Sequence, residues 1–73
     1  MLKGSKPAIV RKIQPISIHG QVSLDVHFAE ADDPDGAEAV ARVGAEAVPR
    51  DLEPGDRVQL HYVLGVVTAI TKD

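Results

Sequence analysis

Three histidines, His19, His27 and His61, are the residues of this chain best suited to holding a transition metal. Neutral imidazole binds zinc or nickel where two or three such rings converge. Their separation along the chain leaves convergence open. His27 alternates with Asp25 on the outward parity of a strand, and His61 shares parity with Gln59 and Val63. Surface positions are therefore expected for the histidines, and no metal or other cofactor is expected. The acidic stretch EADDPDG invites a calcium reading. An EF-hand loop needs oxygen ligands at positions one, three and five, glycine at six and glutamate at twelve. With Gly36 at six, Asp35 and Asp33 fall at five and three, but Ala31 falls at one and Arg42 at twelve. The stretch thus reads as a turn. Paired carboxylates working as acid and base need a cleft and shifted pKa values, and all the acids lie in polar contexts. Gly44, Gly55 and Gly65 are isolated turn glycines and form no phosphate loop. No catalytic residue is assigned, and a non-enzymatic protein is expected.

Charge and composition narrow the partners. The formal net charge is −3 and the aromatic content 3%, with Phe28 and Tyr62 the only aromatics. Nucleic-acid barrels combine a basic face with aromatic stacking platforms, so nucleic acid is the alternative and not the leading expectation. It would use Lys3, Lys6, Arg11 and Lys12, the basic N-terminal stretch. Glu30, Asp32, Asp33, Asp35 and Glu38 make the middle acidic. Cysteine is absent, which removes disulfides and thiolate chemistry together. No apolar run approaches the roughly 20 residues of a membrane span, and MLKGSKPAIV lacks the apolar stretch of a signal peptide. The cytoplasm is the expected location.

The elements that would position these residues are short strands. Seventy-three residues make one domain of modest stability. Pro7 opens a first strand, Ala8 to Ile13, whose apolar alternation is poor and which Gln14-Pro15 should end. His19-Gly20 is a turn signal. Gln21 to Ala29 is the cleanest strand, with Val22, Leu24, Val26 and Phe28 inward and Ser23, Asp25 and His27 outward. After the acidic turn, Ala37 to Val43 reads as a third strand. Ala45 to Val48 reads as a single helical turn before Pro49. Pro54-Gly55-Asp56 launches a strand over 57–63, with Val58, Leu60 and Tyr62 on one face. Gly65 then leads into a closing strand over 66–71. The expected fold is all-β, a small five-stranded barrel, closed or partly closed, of oligonucleotide-binding or SH3 type with one short helical turn.

The string Gly55-Asp56-Arg57-Val58-Gln59-Leu60-His61, followed by Leu64-Gly65-Val66, resembles the end of the small hydrogenase-maturation chaperones (HypC type). The layout before it, a proline preceding the first strand and a short stretch like Glu46-Ala47-Val48 before a loop, is similar too. The resemblance covers most of the chain as layout and only the C-terminal strands as residue identity. It implies a non-enzymatic chaperone that holds an iron precursor with a scaffold protein and escorts the immature large subunit of a nickel–iron hydrogenase. That family uses a cysteine directly after the initiator methionine. Leu2 stands there in this chain, so only His61 carries over.

The expected function is a protein-binding module or assembly chaperone. Its partner is another protein, a metalloenzyme subunit or maturation factor on the resemblance, met by a face around His61, Tyr62 and Leu64. Self-association through the apolar run Val63 to Val67 is a further expectation.

Overall fold

A computed structural model describes residues 3–73; Leu2 lies outside the described residues. The elements are β1 (Lys3–Ile18), β2 (Gln21–Glu30), β3 (Ala39–Gly44), a 3-10 turn at Ala45–Ala47, β4 (Arg57–Val63) and β5 (Val66–Lys72). All five strands form one antiparallel sheet in the order β3-β2-β1-β4-β5. The sheet is not closed. Its two edges, β3 and β5, come within 8 Å of each other at some Cα positions without sharing a ladder.

The strand β1 corrects the sequence reading. It does not stop at Gln14-Pro15 but runs on to Ile18, with Pro15 opposite Leu24. Ile18 and Gln21 flank the two-residue turn His19-Gly20 and so form a hydrogen-bonded pair. Pairs alternate along an antiparallel ladder, which makes Pro15–Leu24 a non-hydrogen-bonded pair. The missing proline N–H therefore faces a free edge, because β4 covers β1 only from Lys3 to Ile9.

A β-bulge between Val10 and Lys12 explains the poor alternation of β1. One extra residue, Arg11, reverses the facing of everything after it. Ala8 and Val10 are fully buried, and Ile13, of the opposite parity, packs against the same core. The bulge is held by the turn before β4. Val10 donates its N–H to the Asp56 carbonyl (3.0 Å) and accepts from the Gly55 N–H (2.7 Å). Gly55 has φ +95°, and Asp56 caps the turn by accepting from the Glu53 N–H (2.8 Å).

The core lies on the concave side: Ala8, Val10, Val26, Phe28, Val43, Val58, Leu60 and Ile70. As the parity of β2 and β4 requires, Leu24, Val26 and Phe28 meet Val58, Leu60 and Tyr62 there. Val22, at the far end of the β1–β2 hairpin, is 52% exposed instead, because β3 ends opposite Ser23 and leaves it uncovered. A second irregularity, between His61 and Tyr62, leaves Thr68 unpaired on β5.

Candidate functional site

The three histidines occupy three separate places. His19 sits in the β1–β2 turn at φ +50°. His27 lies on the outer face of β2, its Nδ1 3.4 Å from Glu38 Oε2. His61 lies on the outer face of β4, its Nε2 2.8 Å from Thr71 Oγ1. On β1, His27 pairs across from Lys12 and His61 from Ser5, so the two rings stand roughly 20 Å apart along the strands at about 3.3 Å per residue. Among the described residues no group of three or more His, Asp or Glu side chains gathers around a common point. The acidic stretch is a turn. Asp33 accepts the Gly36 N–H (2.9 Å), with Pro34 at the second position, and the Asp33 carboxylate folds over Gly36 where a Cβ would stand.

The basic residues do not share a face. Lys6 is ion-paired with Glu30 on the concave side. Arg11, at the bulge, donates to the Pro34 carbonyl (2.6 Å). Lys12 lies on the outer face opposite His27, and Lys3 opposite Val63 at the end of β4. Arg42 and Asp25 form a two-pronged pair on the outer face (2.8 and 3.1 Å), which lowers the Asp25 pKa. Lys72 reaches both Asp51 (3.1 Å) and Asp56 (3.3 Å), tying the end of β5 to the loop before β4. The Asp51 bond raises the Lys72 pKa and lowers that of Asp51.

Of His61, Tyr62 and Leu64, grouped by the sequence, His61 separates in space from the other two. His61 faces outward. Tyr62, its neighbour, faces the core and is half-buried, with the Lys6 ammonium 5.8 Å from its ring centre. Hydrogen bonding to Glu30 first, with coulombic attraction from the nearby acidic groups, raises the Lys6 pKa. Leu64 stands at the tip of the β4–β5 turn. Of the two favoured two-residue hairpin turns, type I′ has positive φ at both central positions, and Leu64 (φ +55°) and Gly65 (φ +79°) adopt it. For leucine this region is strained by roughly 1–2 kcal/mol. The strained residue is also 70% exposed, beside Val63 and Val66, the latter 63% exposed.

Three depressions meet at Tyr62. One contains Phe28, Glu30 and Asp33, a second Lys3, Lys6 and Leu64, and a third Phe28, Val40, Val66 and Val67. Tyr62 and Leu64 thus belong to one apolar rim with Val66, a residue of the run Val63 to Val67 expected to self-associate; Phe28 and Val40, which the sequence did not place at an interface, complete it. Local signals exist only for Tyr62, which shares parity with Leu60, and for Leu64, which the two-residue spacing between strands places in the turn. A larger depression, 780 Å³, lies at the opposite end between β2 and the 3-10 turn, with Glu46 and Arg50 as its charged groups. No helix among the described residues is long and apolar enough to cross a membrane. No protein-family model, curated protein or solved structure matches this chain.

Proposed function

We propose that this chain is a non-enzymatic protein-binding module, a small partly open barrel of the oligonucleotide-binding type that docks a partner protein at the rim formed by Tyr62, Leu64 and Val66. The observation that carries this reading is Leu64. A large aliphatic side chain held in a left-handed conformation and exposed to water works against both backbone strain and hydration, and burial by a partner relieves the second. The strand order supports the barrel type, since one long first strand shared by β2 and β4 with a short helical element between β3 and β4 is the layout of that fold. The resemblance to the small hydrogenase-maturation chaperones supplies the partner class, an immature metalloenzyme subunit or its assembly scaffold in the cytoplasm. The absence of cysteine makes the role one of protein docking and not of iron transfer. Nucleic acid is the weaker reading, because the four N-terminal cations are dispersed over both faces and Lys6 is already neutralised by Glu30.

Affinity co-purification from native cells, with the wild-type chain and Leu64→Asp in parallel, tests the proposal. A partner captured by the first and lost with the second supports rim docking. Equal capture by both places the interface elsewhere.

A further inference from the structure

We infer that the rim recognises an extended, uncharged apolar segment of its partner, which enters the seam between β3 and β5 and pairs with the free edge of β5; the inference rests on the docking reading above.

The seam has the chemistry of a strand-addition site. Four antiparallel steps separate β3 from β5, so the two edges run in the same direction and face each other with unpaired backbone groups. Val63 and Val66 flank a two-residue turn and form a hydrogen-bonded pair, so the next pair, Tyr62–Val67, is non-hydrogen-bonded. The N–H and C=O of Val67 consequently point away from β4, toward β3. β5 carries no charge from Val66 to Thr71 and no proline, so of the usual devices that discourage edge pairing it has the bulge at Thr68 but neither charge nor proline there.

Side chains around the seam define the guest. Val40, Val66 and Arg42 flank it on the outer face, while Ala41, Val67, Phe28 and Tyr62 line its inner side. Side chains of a guest strand alternate between these two sides. The inner parity meets apolar surface, where a charged residue would be desolvated without a partner; on the outer parity the one charged group, Arg42, is already paired with Asp25. The exposed apolar patch of Val40, Val63, Leu64 and Val66 amounts to a few hundred Å², the size at which a monomer's largest patch is commonly functional. It falls well short of the about 800 Å² per partner of a standard interface. A single inserted strand matches that area; a second folded copy does not. A guest needs about 4.8 Å of spacing on each side, so the β3 edge moves outward as the guest enters. β3 is the lighter edge, six residues paired only to β2.

The test is selection of displayed random peptides on the intact chain, followed by affinity measurements on the winners. The expected winners are uncharged with successive aliphatic or aromatic residues. N-methylation at alternate backbone positions is expected to weaken them at least tenfold. Tethering the edges through Val40→Cys and Val66→Cys with a short bismaleimide is expected to weaken them similarly; both sites are exposed and the chain has no other cysteine, so the untethered double variant is the folding control. Winners indifferent to N-methylation and to the tether overturn strand addition, as does failure to enrich apolar peptides. Co-purification with the tethered chain separates the two ideas. A partner retained by the tether but lost with Leu64→Asp leaves docking standing and removes the seam; a partner retained by both removes docking as well.

Discussion

Gly55 donates its backbone N–H to the carbonyl of Val10 at 2.7 Å, at the residue where β1 reverses its facing. This bond joins the turn before β4 to the bulge that lets Ala8, Val10 and Ile13 share one core. Gly55 reaches it only with φ +95°. Gly55→Ala is expected to cost roughly 1–2 kcal/mol, read as a lower urea midpoint with an unchanged slope. An unchanged midpoint would mean that the turn does not anchor the bulge.

Stability and docking are expected to move in opposite directions at Leu64. Asparagine tolerates the left-handed region far better than leucine. Leu64→Asn should therefore raise the melting temperature while weakening partner capture. A variant that melts lower would show that Leu64 is held by contacts within the chain.

His61 and Tyr62 lie on opposite faces, and this separates two docking geometries. With the partner on the rim, His61→Ala removes the Thr71 hydrogen bond yet leaves capture unchanged, while Tyr62→Ala weakens it. Loss of capture with His61→Ala alone would move the interface to the outer face, where the resemblance to the maturation chaperones puts its weight.

The charge pairs give a defined pH response. Arg42 lowers the Asp25 pKa and Lys72 lowers that of Asp51, so the stability these pairs add is present above the ordinary carboxylate value of about 3.9 and is lost as pH falls through the lower folded values. The raised pKa values of Lys6 and Lys72 act at the other end, where stability present below about pH 10.4 is lost as pH rises through the folded values. Melting temperature should be level between about pH 5 and 8 and fall toward either extreme. Asp25→Asn should flatten the acid limb in low salt, and an acid limb identical to wild type would deny the Asp25–Arg42 pair any part in it.

Leu60 is fully buried at the centre of the core. Leu60→Ala is expected to cost about 2–5 kcal/mol, comparable to the few kcal/mol that a core of this size supplies. Loss of cooperative unfolding by circular dichroism is the expected readout. A cooperative transition near the wild-type midpoint would mean that the core lies elsewhere.

Much of this fold is written locally. The inward parity of Val26 and Phe28, the turn at His19-Gly20 and the strands after Asp56 and Gly65 each follow from side-chain alternation or from residues that accept positive φ, and neither signal needs a distant partner. Where a property depends on remote contact, the sequence was silent or misleading. Pro15 looks like a strand end, and only the absence of β4 beside it makes it harmless. The mixed parity of β1 has no local cause; the bulge exists because Gly55 and Asp56, far along the chain, pair with Val10. Adjacency grouped His61 with Tyr62, and strand pleating sent them to opposite faces. Tertiary structure alone brought Phe28, Val40 and Val66 to one rim with Leu64 and left β3 and β5 facing across an unpaired seam, because backbone pairing between distant segments, unlike alternation within one, leaves no periodic trace in the residues that form it.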